Sequence, residues 1–231
     1  MEFFEVIEKR RSIRRFTQDP VPEAAMKKAF EAAVLAPNSS NTQTWNFFWV
    51  RSEEQKKRLV KNCLDQSAAR TAKELVIISA DPALWRRSQK PILEYVKQVN
   101  APKAIHTYYE KLMPLMYRWG FLNCFAPIKW LLTNLIGIFR PTPRGPYSRR
   151  DSQEVAIKSA ALAAENFVLA LSAQGYSTCM MEGFDEIRVL RQLKLSSSSR
   201  IVMVIGIGVE AGRGTWGPRF RIPLAEVLRE I

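Results

Sequence analysis

Arg10-Arg11-Ser12-Ile13-Arg14-Arg15-Phe16 sets four arginines within six residues, with Lys9 directly before them. Cations this close repel one another, so a chain that crowds them beside apolar residues gains something by it. A bound phosphate turns the repulsion into charge-assisted hydrogen bonds, with arginines supplying planar forks and Ser12 a hydroxyl. A solvated basic N-terminus is the plain alternative, because most charge runs are only that. The rest of the chain decides between them.

The 231 residues suit one domain with a full core, or one domain with an excursion. The formal net charge is +13, and it is unevenly placed. Residues 101–150 hold Lys103, Lys111, Arg118, Lys129, Arg140, Arg144, Arg149 and Arg150 against Glu110 alone, so eight cations less one acid leave +7. An anionic surface is the expected partner of such a stretch. Cys63, Cys124 and Cys179 are far apart and His106 is the one histidine. No metal site or disulfide framework is expected from that set, and the thiols suit a reducing, cytoplasmic compartment. The first residues, Met1-Glu2-Phe3-Phe4-Glu5, carry acids where a signal peptide has cations.

Spacing predicts a short helix over residues 2–9, with Phe3, Val6 and Ile7 on one face, and a second over about 22–35 that Pro37 stops. Pro37-Asn38-Ser39-Ser40-Asn41-Thr42-Gln43-Thr44-Trp45 reads as a polar loop whose amides both donate and accept, as a heteroaromatic edge requires. A strand at 46–50 follows. Ser52 with Gln55 resembles a capping box that opens a helix to about residue 64, and 75–80 is a buried strand. Residues 152–174 form a long alanine-rich helix with small residues all round, expected to be buried on most sides. A near-strand at 176–180, a helix capped by Asp185 to about 193, a turn at 196–199 and an apolar strand at 201–208 complete the core. The tail, 214–223, is extended and closes in a last helical turn. The irregular alternation predicts an α+β fold with one mixed sheet.

Four separated pieces of the chain stand out: Arg10-Arg11-Ser12-Ile13-Arg14, the stretch from Ala36 to Trp45, Met181-Glu182-Gly183-Phe184-Asp185, and Pro218-Arg219-Phe220-Arg221. In order and spacing they resemble the FMN-dependent nitroreductase family. The resemblance implies a nitroreductase-like mixed central sheet flanked by helices and an interwound homodimer with exchange of C-terminal arms. It implies FMN as cofactor and NADH or NADPH as reductant. The reaction implied is ping-pong hydride transfer through flavin N5 to a lipophilic acceptor: a quinone, a nitroaromatic or an activated enone. Reductive dehalogenation or other specialised flavin chemistry on the same fold is the alternative, and a non-enzymatic basic nucleic-acid-binding protein a distant one, with no nucleic-acid motif to carry it.

By the same resemblance, Arg10, Arg11, Arg219 and Arg221 look like a phosphate clamp, and Ser12 reaches the phosphate or ribityl chain. Arg14 faces the pyrimidine edge of the ring and stabilises its reduced form. Pro37, Asn38, Ser39, Asn41 and Gln43 resemble the loop that a partner subunit lays against the flavin. Met181, Glu182 and Gly183 resemble the turn beside N5, where a residue without Cβ lets backbone approach the ring. Gln66 and Arg70 are both candidates for a further flavin contact, and Thr44 stands where the family often has proline.

Residues 83–150 match nothing in the compact members of the family and read as an insertion into a single domain spanning 1–231. Its core, 111–140, is apolar apart from a few cations, among them Arg118 and Lys129, and carries Trp119 and Trp130. The longest charge-free apolar runs are about ten residues, short of the roughly 20 that span a bilayer. Pro127 and Lys129 predict two short helices rather than one. A buried lid over the flavin is one reading. The other is a peripheral contact of residues 111–150 with an anionic surface on the inner face of the cytoplasmic membrane.

Overall fold

Two apolar strands, β2 (Glu74–Ala80) and β4 (Arg200–Gly208), form the spine of the molecule. The computed structural model describes residues 2–231. In chain order it holds α1 (Phe3–Lys9), α2 (Glu23–Val34), β1 (Trp45–Val50), α3 (Glu53–Asn62), α4 (Ser67–Thr71) and β2 (Glu74–Ala80). There follow α5 (Trp85–Gln98), α6 (Lys103–Thr107), a π-helical turn at Tyr108–Leu112, α7 (Met113–Tyr117) and α8 (Phe125–Phe139). Then come α9 (Arg149–Ala173), β3 (Ser177–Met181), α10 (Glu186–Gln192), β4 (Arg200–Gly208) and α11 (Leu224–Val227).

The sheet order is β1-β2-β4-β3, and every pairing between these strands is antiparallel. The expected mixed sheet is therefore corrected to an antiparallel one. Its mixed character is confined to a single parallel bridge, Ser12 to Thr178, at the β3 edge. Both faces are buried, so alternate residues feed two cores. Val76 and Ile78 of β2 join Met26, Ala160 and Phe167 beneath α2 and α9. Leu75 and Ile77 join Leu59, Cys63 and Val189 on the side of α3, α4 and α10. In β4, Ile201 and Met203 are two apart yet enter different cores. The β2 register explains this: Ile78 faces Met203 while Ser79 faces Ile201, so the ladder skips Val202, and such a bulge turns the strand over locally.

Four local expectations change. Ser52 is the N-cap of α3, but its side chain makes no cap bond. Gln55, the other half of the expected capping box, accepts instead from Gln192 of α10 (2.9 Å). The capping box present is Ser148 with Asp151, which starts α9 three residues earlier than 152. Within one chain α9 is buried along one face, through Ala156, Ala160, Ala163, Phe167 and Leu171, not on most sides; Leu162 is exposed opposite. Finally, Pro127 does not divide the apolar stretch. It occupies the third position of α8, where the backbone N–H has no helical acceptor to lose, so one helix of 15 residues runs to Phe139. Residues Phe121–Phe139 are accordingly long and apolar enough to cross a membrane by length and composition, as is the half-buried α9.

Candidate functional site

The arginine stretch is held by the two apolar residues inside it. Ile13 and Phe16 are 3% and 4% exposed and anchor it between β3 and the chain leaving β4. Ile13 N donates to Thr178 O (2.9 Å), Thr17 N to Val209 O (2.9 Å), and Ala211 N to Arg15 O (3.0 Å). Phe16 lies so close to β4 that a Cβ on Gly208 would sit 3.0 Å from it, so glycine there is a packing requirement. With Ile13 and Phe16 turned inward, the arginines between and before them are left at the surface. Arg14 N donates to Gly214 O (2.8 Å), which brings the C-terminal tail alongside.

The result is a pocket of about 220 Å³ lined from both chain ends: Arg10, Arg11, Ser12 and Arg14 from one, Thr215 to Arg221 from the other. Six predicted site residues therefore meet in one place. Arg11 donates to Gly217 O (2.6 Å), and Arg219 to the carbonyls of Ile7 (3.1 Å) and Arg10. The Arg14 guanidinium lies 4.5 Å over the Trp216 ring. Among the described residues one carboxylate comes within ion-pair range, Glu165 at 3.8 Å from Arg10, and Glu8 adds a weaker attraction on Arg219. Desolvation, then the charges of Arg10, Arg221 and Arg11, make Arg219 a weaker base than an ordinary arginine. A pocket in which guanidiniums crowd each other with so little counter-charge is complementary to a phosphate dianion.

The end of β3 forms a second cluster. Met181 is buried in the core, and Glu182 and Gly183 follow it at the surface. Gln66 donates to Gly183 O (2.5 Å) and Cys63 O (3.0 Å). A Cβ on Gly183 would lie 3.1 Å from the Gln66 amide nitrogen. Of the two open candidates, Gln66 thus reaches the turn, whereas Arg70 lines a separate basic hollow with Lys56, Lys57, Lys61 and Lys73. Thr178, bridged to Ser12, is three residues before Met181, so β3 connects the clusters over about 10 Å of strand.

The polar loop stands apart from the arginine pocket within one chain. Asn38 Oδ1 accepts from Gln43 N (2.8 Å) and its amide donates to Ala36 O, so Asn38 holds the loop itself together. Positive φ at Ser40, Asn41 and Gln43 turns it sharply, while Pro37, Ser39 and Asn41 are exposed. What fastens it from outside is not legible in the sequence. Tyr108 Oη, in the π-helical turn, lies 2.5 Å from Ser40 Oγ. Ser88 Oγ donates to Thr42 O (2.7 Å), and Arg87 to Gln43 O (2.8 Å). Burial raises the Tyr117 phenol, and its hydrogen bonds with Ser39 and Thr42 pull the other way. Trp216 and Gly217 were also missed as pocket residues. Their one signal was adjacency to Pro218-Arg219.

A family model described as "Nitroreductase family" matches residues 7–209. Protein DrgA of Synechocystis sp. is 27% identical over 234 residues, covering 99% of this chain and 95% of that protein. A protein of Thermus thermophilus named NADH dehydrogenase is 26% identical over 237 residues, covering 95% and 91%. Among solved structures, the ydfN protein of Bacillus subtilis superposes with a TM-score of 0.78 at 22% identity, over 99% of this chain and 98% of that one. A protein of Exiguobacterium sibiricum solved in complex with FMN gives 0.73 at 19% identity, over 100% and 98%. At these identities the two superpositions show the fold.

Proposed function

The chain belongs to the nitroreductase family, and from that premise we propose that it is an FMN-dependent NAD(P)H oxidoreductase acting on a lipophilic acceptor. The observation that carries the reading is the convergence of Arg10, Arg11, Arg219 and Arg221, from opposite ends of the chain, on one pocket. The FMN-bound fold neighbour and the relative named NADH dehydrogenase support the cofactor and the reductant.

The residues fit the group. The four arginines, with Ser12, hold the phosphate by charge-assisted hydrogen bonds. Arg14, kept in place by stacking on Trp216, sets a fixed cation at the ring end and favours negative charge there. Gly183 offers backbone with no side chain in the way, and Gln66, bonded to its carbonyl, fixes the Gly183–Phe184 peptide and so holds the turn after Glu182. FMN, when bound, supplies the transfer of hydride from NADH or NADPH to a quinone, nitroaromatic or activated enone. The protein's part is to bind, orient and stabilise charge.

The same reading takes the chain as a single domain with an insertion at 83–150, and as a homodimer in which Pro37, Asn38, Ser39, Asn41 and Gln43 lie against the partner's flavin. The tail supports it. Trp216 is 87% exposed and Phe220 78%, and Leu224 and Val227 are exposed beyond them, apolar surface that a second chain would cover. Three free thiols suit the cytoplasm. Light scattering tests the dimer: the reading expects twice 26.5 kDa, and an active flavin-bound monomer contradicts it. Initial rates with NADH and a soluble quinone test the mechanism. Parallel double-reciprocal lines are expected of alternating half-reactions, and intersecting lines refute them.

A further inference from the structure

Helix α8 is turned inside out. At about 100° per residue, Phe125, Ile128, Leu131, Leu132, Leu135 and Phe139 share one arc, and Lys129, Thr133, Asn134 and Gly137 the opposite one. In a water-soluble protein the apolar arc faces the body. Here the polar arc makes the attachments. Lys129 Nζ donates to Met116 O (2.8 Å) and Arg118 O (2.6 Å), and Thr133 Oγ1 to Tyr147 Oη (2.9 Å). Arg144 donates to Asn134 Oδ1 and to Gly137 O (3.5 Å). Burial lowers the Lys129 ammonium's affinity for its proton, as expected of a cation pressed against protein. The six apolar residues point away, each about half exposed or more, up to 88% at Phe139. No residue of α8 is fully buried.

Charge decides what covers this face. The surrounding stretch, 101–150, carries eight cations against one acid, and among the described residues none of the eight forms an ion pair. A second copy docked face to face would set +7 against +7, a repulsive encounter. A surface both apolar in depth and anionic at its edge satisfies both features at once. The attachments along the polar arc tie the helix lengthwise to the segments that flank it, at Met116, Arg118, Arg144 and Tyr147.

We propose that α8 is a membrane-docking helix. It lies flat in an anionic lipid leaflet, with its apolar arc about 5–10 Å into the headgroup–acyl boundary and the flanking cations on lipid phosphates. Its 15 residues extend about 22 Å along the surface. The docked face is joined to the polar loop at 37–43 through α7 and the π-helical turn, where Tyr108 meets Ser40. The docking face lies outside the arginine pocket, and sedimentation reads it without turnover or flavin.

The experiment mixes the full chain with vesicles of equimolar phosphatidylcholine and phosphatidylglycerol, and separately with phosphatidylcholine alone, at low salt. The wild type is expected in the pellet with the anionic vesicles and in the supernatant with the neutral ones. Leu131→Glu/Leu135→Glu, both on the exposed face, is expected to weaken partition more than about tenfold with circular dichroism unchanged, and Arg140→Ala by about fivefold. A fluorophore on Cys124, which is exposed next to α8, shifts to the blue on binding. Wild type in the supernatant with anionic vesicles overturns the proposal, as does pelleting of the double variant to the wild-type extent. Equal binding to neutral vesicles removes the role of the cations. If the double variant instead turns a lipid-free dimer into monomer, or changes only KM for soluble acceptors, the face is a subunit contact or a lid and the proposal fails.

Discussion

Removing Arg221 separates ligand binding from folding more cleanly than any other change in the pocket. Its guanidinium donates to the carbonyl of its own neighbour, Phe220 (2.7 Å), and the residue is exposed. Arg221→Ala therefore costs the fold no more than about 0.5 kcal/mol, the ordinary range for a surface change. It also relieves a like charge that weakens Arg219 as a base. Against a bound phosphate the balance is different. A hydrogen bond to a charged group contributes about 1.5–3 kcal/mol, so FMN affinity is expected to fall about 10- to 150-fold. The assay is quenching of flavin fluorescence on titration of the apoprotein, with riboflavin as control. FMN binding weakens in the variant and riboflavin binding does not, because riboflavin lacks the phosphate. The difference narrows at high salt, as the charges are screened. An FMN affinity within about threefold of wild type, or an equal loss for riboflavin, refutes the clamp and returns the N-terminal arginines to plain solvated surface.

Other expectations follow from single contacts. Gly183→Ala sets a Cβ 3.1 Å from the flexible end of Gln66, so the variant folds normally but is reduced more slowly by NADH in stopped-flow; unchanged reduction removes Gly183 from the ring contact. Ser148→Ala breaks the capping box of α9 and is expected to cost about 1 kcal/mol in urea unfolding. Burial raises the Asp151 pKa, but the N–H groups of Ser148 and Tyr147 outweigh it, and the folded value lies below the ordinary one. Its stabilisation is thus complete at neutral pH and lost as pH falls below about 3.9 toward the folded value. Asp151→Asn removes that part of the acid sensitivity, read from unfolding at neutral pH and at about pH 3. Burial pushes the Cys63 thiol up to about 11 and raises Cys179 as well, while Cys124 is exposed. A thiol reagent should therefore titrate Cys124 fast and the other two on unfolding, and fast reaction of Cys63 would contradict the packing of α3 on the sheet.

The N-terminal arginine run was legible as a candidate phosphate site from its charge, but its meeting with Arg219 and Arg221, at the other end of the chain, was implied only by the resemblance to the nitroreductase family. The core strands and α2, α9 and α10 were legible from apolar period and punctuation, within a few residues at their ends. What failed depended on distant partners. Ser52 and Gln55 carry a capping signal, but Gln192, 137 residues on, takes Gln55. The bulge at Val202 comes from pairing with β2, to which no single strand's pattern testifies. Pro127 looked like a break because its distance from the helix start was unknown. The pattern of α8 shows two faces but not which of them points outward; that depends on Tyr147, Arg144 and the carbonyls of Met116 and Arg118. The polar loop at 37–43 was legible as a loop, while its fastening by Tyr108 and Ser88 was not.

The central claim is that this chain holds a flavin that NADH or NADPH reduces. Its most direct test is the visible spectrum of the purified protein, reconstituted with FMN and desalted, before and after anaerobic addition of the reductant. The account predicts a yellow protein retaining about one FMN per chain, bleached by NADH or NADPH and recoloured by a quinone. A chain that emerges colourless after reconstitution, or whose bound flavin neither nucleotide bleaches, contradicts it.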